Sequence, residues 1–382
     1  MNENNITRFE VSNFKKFDHL VVENIGQVNL ITGDNNVGKT TLLEALLFNE
    51  DNTRWIKYLH QTLYYRGIEL NISNINTDQI KFPNENFLSY IFHDIHKRFR
   101  INYSTQKVNN IELSIEYKNI DNVTDEELSY RKDKYKIANV RDWVLFYKNG
   151  KLDELQWLYY DDMRVKLESV YWPYIGIDTP YSQDIRGFEQ AITTNGSESN
   201  NVEFDYSDKK NIIKYLKILI DNIVDYDYLP FGKNKLHAIA KSEDGKYRPI
   251  TTFGDGFQKY FRYVWSILYA KKLMDTRIMI DEIDAGTHYL KMKDEWKAIF
   301  ELSKQTGIQI FATTHSNECI EAFAEAAEET EGWRDKIRLI ELKEANVKGI
   351  NKMYVNTFAI ENIEAGIESS YDMRGGRIYG KY

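Results

Sequence analysis

A single cysteine, Cys319, stands among 382 residues, which excludes an internal disulfide and a cysteine-rich metal site and fits a reducing, cytoplasmic setting. Proline is scarce at 5 residues while tyrosine is abundant at 27, a balance that suits a compact, strand-rich chain and carries no functional message. No run of about 18 apolar residues occurs, which argues against a membrane span. The opening Met1-Asn2-Glu3-Asn4-Asn5 is polar and leads into no apolar stretch, so no secretory signal is expected. Internal repeats, low-complexity tracts and sustained heptads are also missing. The net charge of −8 gives no whole-molecule attraction to nucleic acid, so any such contact needs a local basic patch. What remains is ordinary for a globular protein, with 42% hydrophobic and 28% charged residues, and the length suggests two domains.

Two distant stretches describe one nucleotide site. Ile31-Thr32-Gly33-Asp34-Asn35-Asn36-Val37-Gly38-Lys39-Thr40-Thr41 matches G-x-x-x-x-G-K-[ST], follows the apolar segment 28–31 and runs into the helical pattern Leu42, Leu43, Ala45, Leu46, Leu47. Glycines 33 and 38 let the backbone curl its N–H groups toward phosphate oxygens. Lys39 reaches the β- and γ-phosphates, the Thr40 hydroxyl takes a Mg²⁺ position, and Asn35, Asn36, Gly38 and Thr41 complete the cradle. The second stretch is Arg277-Ile278-Met279-Ile280-Asp281-Glu282, an apolar strand that ends in two carboxylates at a sheet's C-terminal edge. Asp281 is expected to hold Mg²⁺ through water and Glu282 to polarise the attacking water as general base. His315 follows the strand 308–313 and is expected at the same edge, in contact with the γ-phosphate.

Gly254 and Gly256, within Phe253-Gly254-Asp255-Gly256-Phe257, open a long helical pattern and form a second site of exposed amides. Because this turn precedes the carboxylate strand by one helix, it is expected to meet a γ-phosphate bound by another chain. The alternation of strand and helix from residue 235 onward implies a mainly parallel sheet covered on both faces. Residues 50–230 differ: alternating segments 111–117 and 144–147 read as antiparallel strands, 87–95 and 212–224 as amphipathic helices, and 197–201 as a surface loop. A hairpin is expected over 337–342 and 353–358.

The order of phosphate loop, interruption, glycine-rich helix start, carboxylate strand and histidine resembles the ATP-binding-cassette class of P-loop ATPases. Within that class, Val28 to Ala45, Phe253 to Phe257, Ile280-Asp281-Glu282-Ile283-Asp284-Ala285-Gly286-Thr287-His288 and Ala312-Thr313-Thr314-His315-Ser316 look like the OLD/RecF-like family, whose members include ATPase subunits of bacterial anti-phage systems such as PARIS, Septu, Gabija and certain retrons. The resemblance covers residues 1–50 and about 235–370. It implies an α/β fold, an ABC-type ATPase head with a mixed, largely parallel sheet plus a large α+β insertion over 51–234, and a flexible basic tail at 371–382. It places Asp284 in the loop that crosses a dimer interface, Gly254 and Gly256 in the signature loop, and His315 in the switch. It further implies ATP and Mg²⁺ as cofactors, a homodimer of cassettes closing head-to-tail or a higher oligomer, a phage-derived trigger, and a separately encoded effector of Toprim or HNH nuclease type. The residue linking the insertion to the metal, the family's glutamine loop, has no clear counterpart.

Gly254 stands where a transporter-type signature has serine, so backbone amides replace a hydroxyl and slow turnover is expected. The pair Asp225 and Asp227 reads as a solvated D-x-D more readily than as a nuclease centre, since only 67 residues follow His315. The run His96-Lys97-Arg98-Phe99-Arg100 is a local basic patch that could track nucleic-acid phosphates. A DNA-repair ATPase of the RecF or structural-maintenance kind, acting directly on DNA, is therefore the alternative. A transporter subunit fits less well, given the large insertion and altered signature.

Overall fold

The computed structural model of the chain describes residues 2–50, 91–129, 142–157, 206–230, 236–272, 275–347 and 350–374, with Trp55, Tyr58, Tyr174 and Ile175. Its centre is a six-stranded sheet in the order β15-β14-β3-β13-β12-β8, where β3 is Val28–Gly33, β8 Tyr174–Ile175, β12 Arg277–Ile280, β13 Gln309–Thr313, β14 Ile337–Val347 and β15 Ile350–Phe358. Every pairing is parallel except that of the hairpin β14 and β15. Each residue of β3, β12 and β13 is buried, which is why these strands read as mainly apolar runs rather than alternations.

The two faces of this sheet serve different cores. Val28, Leu30, Ile278, Ile280, Ile310 and Ala312 join a helical layer made of α3 (Tyr206–Leu216), α4 (Asp255–Lys272), α5 (Tyr289–Thr306), α6 (Asn317–Glu329) and α7 (Ile360–Glu368). Their strand neighbours Ile31, Met279, Phe311, Ile340 and Leu342 face the other way, into a core shared with α1 (Lys39–Ala45) and a second sheet. That second sheet is antiparallel, in the order β2-β1-β4-β5-β6-β7: β1 Ile6–Phe14, β2 Phe17–Val22, β4 Phe99–Thr105, β5 Ile111–Asn119, β6 Asp142–Lys148 and β7 Lys151–Trp157. The one-turn helix α2 (Asp125–Leu128) lies between β5 and β6 in the chain. A third sheet joins β9 (Ile223–Pro230), β10 (Leu236–Ser242) and β11 (Tyr247–Pro249).

This arrangement departs from the sequence reading at three places. The composition change near residue 50 falls inside a single sheet, because β1 pairs with β4 across the break. The helical spacing over 212–224 ends early: α3 stops at Leu216, Ile218, Leu219 and Ile220 pack on the core from a turn, and Ile223 already starts β9. Apolar turn residues had imitated the helical period. Of the expected helix at 87–95, the described part, 91–95, is a turn in which Phe92 bridges Phe14. The loop expected at 197–201 and the tail beyond residue 374 lie outside the described residues.

Candidate functional site

At the C-terminal end of β3 the chain leaves the sheet through Gly33 (φ 152°), passes Asn36 (φ 66°) and enters α1 after Gly38 (φ 113°). Side chains are excluded at both glycines by conformation and by space. A Cβ on Gly33 would lie 2.6 Å from Val37 Cγ1 and 2.7 Å from the Leu342 carbonyl, and one on Gly38 would lie 2.8 Å from the Phe17 ring. The Lys39 ammonium folds back over the loop, donating to the carbonyls of Gly33 at 2.7 Å and Asp34 at 3.0 Å, and sits 3.4 Å from His315 Nδ1. Burial pulls its pKa down to about 8, opposed by Asp281, Glu282 and Asp34. Burial, then the Lys39 charge, also lowers His315.

The carboxylate strand delivers its acids beside this loop. Thr40 Oγ1 donates to Asp281 Oδ2 at 2.8 Å, and Thr313 Oγ1 donates to the other oxygen, Oδ1. That same Thr313 hydroxyl accepts from the Glu282 backbone N–H at 2.8 Å. Glu282 has φ 47°, the left-handed region that a non-glycine residue occupies only when its surroundings impose it. The Ile283 N–H donates to the Thr313 carbonyl at 3.0 Å, and Thr314 Oγ1 donates to Asp284 Oδ1 at 2.6 Å. Two threonines at the end of β13 thus orient Asp281, Glu282 and Asp284 in turn. The sequence reading quoted both threonines and gave neither a role, since a hydroxyl's partners are set by tertiary packing.

The two glycines at the start of α4 differ. Gly254 is exposed, with open space where a side chain would go. Gly256, at the start of α4, packs backbone against backbone: a Cβ there would lie 2.3 Å from the Gly286 carbonyl, and Gly286 itself has φ 83°. The loop after the carboxylates therefore rests on the start of α4 in the same chain. From that loop Thr287 Oγ1 donates to Glu295 Oε1 at 3.3 Å. Glu295 is buried beside a cavity of about 10 Å³ lined by Ile283, Asp284, Met292, Trp296, Ile299 and Cys319, and burial pushes its pKa up to about 8.

Two more basic residues were not singled out from sequence. Lys16, in the β1–β2 turn, donates to the Asn36 carbonyl and lies against Gly38. Arg277, fully buried at the start of β12, donates from Nε to the Leu46 carbonyl and from Nη2 to the Phe48 carbonyl, both at 2.6 Å, so it caps the far end of α1. A charged residue heading an apolar strand was the available signal. The basic run is largely spent on ion pairs. Arg98 meets Glu116 at 2.8 Å and stacks 4.0 Å from the Tyr147 ring centre, and Lys97 meets Asp94 at 3.4 Å. The D-x-D lies on β9, where Lys209 meets Asp227 at 3.2 Å.

Among the described residues no group of three or more His, Cys, Asp or Glu side chains forms a metal cage. One hydroxyl and one carboxylate in contact, Thr40 and Asp281, are the hard oxygen donors that suit Mg²⁺, which keeps several waters and completes its shell with substrate phosphates. No described helix is long and apolar enough to cross a membrane.

Residues 165–321 match the family model described as an AAA domain, putative AbiEii toxin, Type IV TA system. Over its whole length the chain is similar to an ATP/GTP phosphatase of Helicobacter pylori, with 23% identity covering 97% of this chain and 100% of that protein. A shorter stretch, 16% of the chain, is 41% identical to 30% of an uncharacterised protein of Methanocaldococcus jannaschii. Among solved structures, the SMC head domain from Thermotoga maritima aligns with 91% of this chain and 98% of its own at 12% identity and a TM-score of 0.44. An SMC head bound to the C-winged helix domain of ScpA aligns with 94% and 99% at 13% identity and a TM-score of 0.48. The phosphate-loop motif, the carboxylate strand folded against it and the matched AAA domain give one conclusion: the chain is a P-loop ATPase.

Proposed function

We propose that this ATPase is the sensor and scaffold subunit of a bacterial anti-phage defence system, closing head-to-tail with a second copy around ATP and thereby controlling a separately encoded effector, a nuclease of Toprim or HNH type. One observation carries the nucleotide part: the 2.8 Å contact between Thr40 and Asp281, which joins residues 241 positions apart into one donor set. In this reading Asn35, Asn36, Gly38, Lys39, Thr40 and Thr41 hold the triphosphate, and Mg²⁺, when bound by Thr40 and Asp281, offsets phosphate charge. Glu282 accepts the proton of the attacking water, its backbone held by Thr313 so that the carboxylate keeps one aim. His315, 3.4 Å from the Lys39 ammonium, contacts the γ-phosphate and separates the triphosphate from the diphosphate state. Gly254 faces outward and free of neighbours, which suits contact with the second copy's nucleotide, while Asp284 lies in the loop between the two copies. The defence setting is supported by the matched model's description, a putative toxin of a Type IV TA system.

The test uses the full chain. Glu282→Gln is expected to bind ATP, to lose hydrolysis by about 10²-fold or more, and to accumulate as an ATP-dependent dimer in size-exclusion chromatography. Lys39→Ala is expected to lose ATP binding, dimerisation and phage protection together. If both variants bind ATP, hydrolyse it and protect cells as the unmodified chain does, the proposal fails.

A further inference from the structure

After α7 the chain reverses through Ser370 (φ 56°) and returns to the sheet edge at the phosphate loop. The return is anchored at successive points. Tyr371 bonds Lys343 of β14, which in turn pairs with the buried Glu341 at 2.9 Å. Met373 is buried against Gly366, where a Cβ would lie 2.8 Å from its sulfur. The Met373 carbonyl accepts from Thr32 Oγ1 at 2.7 Å, and Thr32 is fully buried and immediately precedes Gly33. The residue after this anchor is Arg374, half-exposed at the rim of the loop.

The surroundings of Arg374 are acidic. Its guanidinium holds Asp372 through Nε at 2.8 Å and Nη2 at 3.1 Å, and it lies within electrostatic reach of Asp34, in the phosphate loop, and of Glu318, in the first turn of the helix that follows His315. Asp281, Glu282 and Asp284 add to the negative charge of the same sheet edge. Among the described residues this cation's hydrogen-bonded partner is an exposed carboxylate two residues away, and such pairs are weak and exchangeable. A guanidinium fork matches phosphate oxygens in two places at once, and this one stands near Glu318, three residues beyond His315, and near Asp34 of the phosphate loop.

We infer that Arg374 is a nucleotide-binding residue, delivered to the terminal phosphate of a bound nucleoside triphosphate by the Thr32–Met373 anchor and released from Asp372 as it engages. This rests on the reading of residues 33–41 as the triphosphate cradle. Residues 371–374 thereby join the candidate ATP site.

Fluorescent ATP and ADP analogues titrated with Mg²⁺ into the full chain separate the two ideas. Arg374→Gln is expected to weaken ATP binding by about tenfold while ADP binding changes by less than about twofold. Asp372→Asn, which frees the guanidinium, is expected to bind ATP at least as tightly as the unmodified chain. Unchanged melting temperatures identify these as binding effects. If Arg374→Gln binds ATP normally, or loses ATP and ADP equally, while Lys39→Ala loses both, the inference is wrong and the cradle reading stands. If Lys39→Ala itself binds both normally, the cradle reading falls and takes the inference with it.

Discussion

Lys39 and Glu295 are the two residues at which burial and charge conflict most plainly. With its pKa lowered to about 8, Lys39 begins to lose its proton just above neutrality, whereas an exposed lysine keeps it past pH 10. Phosphate binding requires the charged form, so ATP affinity is expected to be level from pH 7 to about 8 and then to fall, by up to about tenfold per unit once deprotonation dominates. A titration with a fluorescent ATP analogue at several pH values checks this; affinity that holds level to pH 9.5 would contradict it. The lysine's effect on folding has the opposite sign. The unfolded chain binds the extra proton between about 8 and 10.5, so the desolvation penalty fades as pH rises through that window.

Glu295 is raised to about 8, so the folded chain holds a proton that the unfolded chain releases from about pH 4.5 upward. Its contribution is present below that window and is lost as pH rises through about 8. Glu295→Gln is expected to melt close to the unmodified chain at pH 5 and several degrees higher at pH 8.5; equal melting at both would show that the buried carboxyl finds compensation. At this scale the juxtaposition of the phosphate loop with Asp281 and His315 could be expected from sequence, because each belongs to a motif whose backbone path or strand end is written locally. Thr313, Thr314 and Arg277 were not, because their roles depend on atoms that folding brings within about 3 Å.

At the scale of elements, apolar runs identified β12 and β13, since a strand buried on both faces leaves a near-continuous apolar signature, and the β14–β15 hairpin was expected from its two strand segments. Helical spacing misleads where a turn must also be apolar: Ile218, Leu219 and Ile220 cover the helical core without being helical. The glycine pair at the start of α4 shows how one sequence feature can serve two needs. Gly256→Ala places a methyl group 2.3 Å from the Gly286 carbonyl, so the helix start must move off the loop that follows the carboxylates. A destabilisation of about 1–3 kcal/mol and a matching drop in ATPase rate are expected. Gly254→Ala meets no neighbour and is expected to melt like the unmodified chain. Calorimetry of the two variants tests the contrast, and equal melting would show that the close approach at Gly256 is easily relieved.

At the scale of the molecule, the expected α/β class with a mixed, largely parallel sheet matches the central sheet, but the partition near residue 50 could not be read from composition. Local text records whether a segment is a strand and is silent about which strand it pairs with, and β1 pairs with β4 some 90 residues on. The candidate site is likewise a product of long-range assembly, since its contacts join residues 33–40, 281–284 and 313–315.

The buried Arg277 has a mechanical consequence for that assembly. Helix α1 and strand β12 are clamped near both ends, by Thr40 on Asp281 at the nucleotide edge and by Arg277 on Leu46 and Phe48 at the opposite one. Two rungs about 10 Å apart along the helix forbid sliding or pivoting of one element on the other. Any stroke driven by ATP turnover must then leave this pair rigid and be taken up where its neighbours meet it.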